Sequence, residues 1–179
     1  LDASIAAAAA SSADFLELAC VPRESNEQLL SAIAVVAEHM ARSEDIESIA
    51  QVLSVLANAS AGIRSAIISG WTEGWPQEST ARLPDAADAN LLVVFEKLDA
   101  SSKGQLIRLA AALGSSKLAE NAKMLAPTLL EIAADEDAEG SSRVDAATEL
   151  LGLMSSDGEV VRSLLESITG RTEQKTAVG

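Results

Sequence analysis

No tyrosine occurs in this 179-residue chain, and aromatic residues of any kind make up only 2% of it. Sheets draw on aromatic and β-branched side chains to fill their pleated faces, so this shortage argues against a β architecture. Cysteine and histidine each occur once. One cysteine, Cys20, excludes an internal disulfide and any cysteine-rich metal cluster, and beside Leu18 and Ala19 it reads as a small buried apolar residue. His39 has Glu38 as its chain neighbour, but adjacent residues diverge on a helix. It lacks the further ligands of a metal site and the nucleophile of a catalytic pair, so it reads as an ordinary surface histidine. Basic residues are scarce as well, 13 against 27 acidic, for a net charge of −14. Such a surface repels phosphate backbones and anionic lipid, so no nucleic-acid partner is expected. No apolar run approaches the roughly 18 residues of a membrane span, and no direct membrane insertion is expected. The stretch Ile5 to Ala10 is apolar but short, follows Asp2 and has no basic leader, a poor signal peptide. Phosphate-cradling glycine motifs, serine nucleophile elbows and dinucleotide fingerprints are missing too. No catalytic residues, cofactor or metal are therefore assigned.

What is abundant is aliphatic. The hydrophobic fraction is 48%, dominated by Ala and Leu, enough for a substantial core and too much for a disordered chain. Ala loses no side-chain entropy in a helix and Leu loses little. The pattern agrees. Leu29, Leu30, Ile33, Val36, Ala37 and Met40 gather on one helical face behind a cap at Ser25. Ser43 is expected to open a helix carrying Ile46, Ile49, Ala50, Val52, Leu53 and Leu56, with Glu44 and Asp45 in its first turn. A helix from Ala61 to Glu73 carries Ile63, Ile67, Ile68 and Trp71.

Residues 76–84, bounded by Pro76 and Pro84, form the longest expected loop. Beyond it, Asp85 is expected to cap a helix with Leu91, Leu92, Val94, Phe95 and Leu98. Ser101 or Ser102 caps the next, with Leu106, Ile107, Leu109, Ala110 and Leu113, which Gly114 stops. A stretch from Ser115 or Ser116 is bent or split near Pro127. Gly140-Ser141-Ser142 precedes a helix with Val144, Ala147, Leu150, Leu151 and Met154, and Asp157 caps one with Val160, Val161, Leu164, Leu165 and Ile168. With an Ala-rich helix from Asp2 and a short one from Ala13 to Cys20, about ten helices joined by short turns are expected. The acidic loop from Asp135 to Gly140 lacks the alternating ligands of a calcium loop and reads as a solvated linker.

Three helices begin alike: Ala61-Gly62-Ile63-Arg64-Ser65-Ala66, Lys103-Gly104-Gln105-Leu106-Ile107-Arg108, and Ser141-Ser142-Arg143-Val144-Asp145-Ala146-Ala147. They recur about every 40 residues, near the helix-pair period of HEAT and armadillo arrays, whose units bury their apolar faces only by stacking. The fold class expected is all-α, an irregular HEAT/armadillo-like α-solenoid of antiparallel helix pairs. One domain spans 1–169, with possible sub-units 1–75 and 85–169 around the loop, and 170–179 form a frayed tail.

Ile68-Ser69-Gly70-Trp71-Thr72-Glu73-Gly74-Trp75-Pro76, followed by Gly104-Gln105-Leu106-Ile107-Arg108-Leu109-Ala110, resembles the HEAT-like segment of large planctomycete-type membrane-bound dehydrogenase and c-type haem proteins. The resemblance continues loosely to Ile168-Thr169, about two-thirds of the chain. It implies a helical region between a propeller and a haem domain, and a periplasmic or exported compartment. No Cys-x-x-Cys-His haem attachment site occurs here, so neither dehydrogenase activity nor haem binding carries over. The chain opens on Leu1 rather than Met and reads as a fragment of a larger protein. The function expected is a non-catalytic helical-repeat scaffold or protein-interaction module. The alternative is an accessory domain that positions the propeller and haem domains of a redox enzyme. Trp71 and Trp75, four residues apart, are the candidate partner-binding pair if exposed, and core filling if packed.

Overall fold

The computed structural model of the chain describes residues 11–22, 24–135 and 137–153, and among these it is all-helical, with no strand. Eight helices are described: α1 (Ser12–Ala19), α2 (Glu27–Arg42), α3 (Ile46–Leu56), α4 (Ala61–Gly74), α5 (Asp85–Glu96), α6 (Ala100–Ala112), α7 (Ala119–Ala134) and α8 (Gly140–Leu153). The Ala-rich stretch after Asp2, the helix expected from Asp157 and the tail from Gly170 lie outside the described residues.

The helix ends show why several expected caps sit one to three residues away from their predicted places. Asn26, not Ser25, caps α2, its side chain accepting from Leu29 N at 2.9 Å. Ser43 closes α2 instead of opening α3: its hydroxyl donates to Met40 O at 2.7 Å. Glu44 then takes a left-handed φ of +53°, turning the chain, and Asp45 caps α3 through Ser48 N. At α6 the cap is Asp99, and the predicted Ser102 is the residue whose amide is capped, at 2.9 Å. Pro84 precedes α5, with Asp85 its first residue and no side-chain cap. Gly114 does stop α6. It has φ +77°, its amide donates to Ala111 O, and Ser115 N reaches back to Ala110 O at 2.8 Å, the paired bonds of a Schellman ending. Pro127 lies inside α7, which runs through it unsplit.

Packing alternates along the chain. The odd-numbered helices meet in the order α1–α3–α5, and the even-numbered in the order α2–α4–α6–α8. Elements on either side of the 76–84 loop thus pack directly, α3 on α5 and α4 on α6. One hydrophobic core runs from Leu16 to Leu150 and includes Leu83 of that loop. The loop itself is stitched at both ends: the Ser79 hydroxyl donates to the Glu44 carboxylate, and Leu83 N donates to Leu113 O at 3.0 Å.

The even row is built on small residues. A Cβ at Gly70 would lie 2.3 Å from Ala34 O, and one at Gly74 2.3 Å from Glu38 O, so α4 lies against the backbone of α2. Farther along, the Ser65 hydroxyl of α4 donates to Asp99 Oδ2 at 3.2 Å. The Ser102 hydroxyl stands 2.9 Å from Ser65 Oγ. Between α6 and α8, Gly104 leaves room for the buried Glu149, which takes a two-pronged ion pair from Arg108. The predicted stripes of α2, α3, α4 and α6 face the core. Leu92, Val144 and Leu151, predicted to join them, are exposed at 38%, 65% and 42%. Val144 and Leu151 are on α8, the last described helix of the row, whose outer face has no described neighbour.

Candidate interaction cleft

Helices α4, α6 and α8 start at Ala61, Ala100 and Gly140, and each has a basic residue at its fourth position: Arg64, Lys103 and Arg143. This register differs from the one read in the letters, which matched Arg64 with Arg108. Arg108 instead meets Glu149. The three cations find different partners. Arg64 donates from one guanidinium nitrogen to Ala59 O and from the other to Lys97 O at 2.9 Å. Lys97 in turn donates to Ala57 O, also at 2.9 Å. Ala57 and Lys97 are the residues at which α3 and α5 end, so both cations occupy carbonyls left open by a helix terminus. Arg143 Nε approaches Ala133 O, in the last turn of α7, at 3.5 Å.

Lys103 is different. Its ammonium stands over the Phe95 ring, 5.1 Å from the centroid, a cation–π contact. Neither ion pair among the described residues includes it, and no described carbonyl accepts from it. Here α7 leans on α6 and α8, and α5 is not among its main neighbours. The gap is a cleft of about 270 Å³ lined by Phe95, Lys103, Asn121, Met124, Leu125 and Thr128. Asn121, Leu125 and Thr128 share one face of α7 by steps of four and three. Met124 beside them is 69% exposed, and Leu92, one turn before Phe95 on α5, is exposed as well. Ligand pockets for whole cofactors start at roughly 300 Å³ and enclose most of the ligand. This open cleft matches a single anchoring side chain better.

The predicted partner-binding pair lies elsewhere. Trp71 is 1% and Trp75 8% exposed, so both rings add to the core, and the surface presents neither of them. Each indole N–H is buried without an acceptor among the described residues. Gly70 and Gly74 beside them allow α4 to approach α2 closely. His39 is exposed. Cys20 is buried, and desolvation, followed by the charge of Glu17, pushes its thiol pKa up to about 11. Asp99 is pulled in two directions. Desolvation raises its pKa, but the bonds from the Ser102 amide, the Ser102 hydroxyl and the Ser65 hydroxyl outweigh it, and the carboxyl sits below the ordinary range. Among the described residues no group of three or more His, Cys, Asp or Glu could hold a metal ion. No helix among them is long and apolar enough to cross a membrane.

The residues of the cleft went unremarked in the sequence as a group. Two signals were there: a basic residue at the fourth position of alternate helices, and Met124 standing off the Ala122, Leu125 and Leu129 stripe of α7. Compared with protein-family models, curated proteins and solved structures, the chain matches none.

Proposed function

We propose that this chain is an irregular HEAT-like α-solenoid of helix pairs and works as a non-catalytic protein-interaction module, taking its partner at the α5–α6–α7 cleft. The observation that carries the reading is the cleft itself. It combines an exposed thioether, an aromatic wall and an ammonium with no carboxylate partner among the described residues, on a chain whose net charge is −14. The repeat architecture is supported by the alternation of helices between two rows and by the recurring cation at the fourth helical position. Repeat arrays stack units side by side and bind along the resulting surface. A flexible Met and an aromatic ring adapt to an incoming apolar group, and a lone ammonium selects an acceptor beside it.

The test is site-specific photo-crosslinking of the full-length protein in its own cell. A photoreactive residue is placed at Leu92 or Met124 in the cleft region, or at Glu47, exposed on α3, as the comparison. Protein adducts are expected from positions 92 and 124, not from 47, and should disappear when Thr128→Arg fills the cleft. Equal labelling at all three positions, or no adduct at 92 and 124, refutes the proposal.

A further inference from the structure

The three stripe cations supply an internal comparison. Arg64 is satisfied by a carbonyl at the end of α5 and by Ala59 O in the turn between α3 and α4, and Arg143 approaches the last turn of α7. Lys97 repeats the arrangement on Ala57 O. The chemistry that satisfies a cation along this edge is thus a helix C-terminus: its last carbonyls have no partner within the helix, and its dipole end carries partial negative charge. Lys103 stands at the same helical position and has, among the described residues, the Phe95 ring as its contact. A cation–π contact leaves the three N–H donors of an ammonium available.

From this we infer that the cleft receives the C-terminal end of an α-helix from a protein partner. Lys103 Nζ donates to the helix's last free carbonyls, and one aliphatic side chain of its last turn sits against Phe95, Met124 and Leu125. The inference rests on the interaction-module reading above and names the occupant of that site. Shape is compatible with it, because the cleft has room for an aliphatic side chain and is open to the rest of a helix. Charge supports it more strongly. A partner carrying several carboxylates is repelled by a surface with 27 acidic and 13 basic residues. A helix C-terminus offers carbonyl acceptors without a full negative charge, and Lys or Arg is favoured in its last turn. The same occupant thereby meets a cation at its tip and an acidic surface around its flank.

The experiment uses the whole chain and a synthetic alanine–lysine helical peptide, fluorescently labelled at its N-terminus and amidated at its C-terminus, with one Leu in the last turn. Two comparison peptides have the same composition: one carries the Leu in the first turn, the other has two alanines exchanged for prolines to prevent helix formation. Fluorescence anisotropy should show saturable binding of the first peptide and at least about tenfold weaker binding of both others. Lys103→Met should weaken binding by about tenfold, the effect of one charge-assisted hydrogen bond. Lys103→Arg should retain it, and Met124→Asp should abolish it. Circular dichroism melting confirms that each variant is folded, and Lys103→Gln replaces Lys103→Met if the latter is not. Equal binding of the three peptides, indifference to the charge at 103, or no binding at all overturns the inference. If the crosslinks at positions 92 and 124 form while the peptides fail, only the helix-end occupant is refuted. If both fail, the interaction-module reading falls as well.

Discussion

Substituting three glycines of α4 by alanine should separate Gly62 in sign from Gly70 and Gly74, because the first meets a side-chain tip and the other two meet backbone of α2. Alanine is a better helix former than glycine by about 1 kcal/mol in a helix interior. That gain applies in full at Gly70 and is smaller at Gly62 and Gly74, the second and last residues of the helix. The opposing term is local. At Gly62 the new methyl would stand 3.3 Å from Leu30 Cδ1, the mobile tip of a half-buried side chain. Leu30 yields by a few tenths of an ångström, and Gly62→Ala should be neutral or up to about 1 kcal/mol stabilising. At Gly70 the methyl would stand 2.3 Å from Ala34 O and 2.9 Å from Ala37 Cβ. Backbone cannot swing aside. To reach ordinary contact α2 must back away by roughly 1 Å or more, thinning the contacts among Ile33, Ala37, Ile67 and Trp71. Overpacking of this kind costs about 1–3 kcal/mol, occasionally more, and the net loss after the propensity gain is about 1–2 kcal/mol. Gly74→Ala meets Glu38 O at 2.3 Å and Ala41 Cβ at 3.0 Å with less propensity to offset it, so it should cost at least as much. The double variant should lose less than the two single losses added, since α2 has already moved for the first methyl. Urea titration followed by far-UV circular dichroism and by tryptophan emission reads all four variants. Gly70→Ala more stable than wild type, or indistinguishable from Gly62→Ala, would refute the close crossing of α2 and α4.

Two further outcomes follow from the titratable groups. The Cys20 thiol, buried and held up to about 11 from an ordinary value of 9.0, stays protonated at neutral pH, and iodoacetamide should modify it only as fast as the chain unfolds. Because the unfolded thiol ionises first, stability should fall as pH rises from about 9 to 11, by about 2 kcal/mol, and Cys20→Ala should lack that component. Rapid alkylation of the native chain at pH 8 counts against the burial. The Asp99 carboxyl is held low, so its stabilisation is complete above the unfolded carboxyl pKa of about 4 and is lost as pH falls through the lowered value. Asp99→Ala should cost about 1 kcal/mol at pH 7 as a lost cap. Asp99→Asn should keep most of the cap while flattening the acid limb of the urea midpoint against pH. An unchanged acid limb refutes the assignment.

Much of the fold was legible because it depends on spacing alone. Ile33, Val36, Ala37 and Met40 on α2, Ile63, Ile67, Ile68 and Trp71 on α4, and Leu106 to Leu113 on α6 occupy the core as their periodicity required. Helix starts were less legible, since several residues near each boundary can cap. Ser43 and Glu44 read as the opening of α3, yet the chain uses them to close α2, and only the left-handed φ of Glu44 separates the two helices. The burial of Leu92 and Val144 was misjudged for another reason. An apolar residue on a helix is covered only if a neighbouring element arrives. At Leu92, α7 is not among the main neighbours of α5, and no described element covers Val144. The tryptophans show the same dependence in reverse. Trp71 and Trp75 lie on the α4 face that closes on α2 through Gly70 and Gly74, and that closeness is a property of two helices together.

The cleft was least legible because its meaning depends on register. Read as letters, the repeated segments pair Arg64 with Arg108, two arginines beside aliphatic residues. The helices start at 61, 100 and 140, and the true equivalents are Arg64, Lys103 and Arg143. Arginine at this position reaches the end of a neighbouring helix with a planar fork of donors: Arg64 joins the turn before α4 to the end of α5 with two nitrogens at once. Lysine has a single ammonium and cannot bridge two such sites in that way. At Lys103 no described carbonyl accepts from the cation, and α7 packs against α6 and α8. Lys103 thus stands at the edge of the cleft with the Phe95 ring as its contact among the described residues. Restoring the clamp with Lys103→Arg need not close the cleft, because the end of α7 lies beside α8 and Arg143 already reaches toward it. A chain that binds at this gap should therefore respond to the charge at position 103 far more than to its shape.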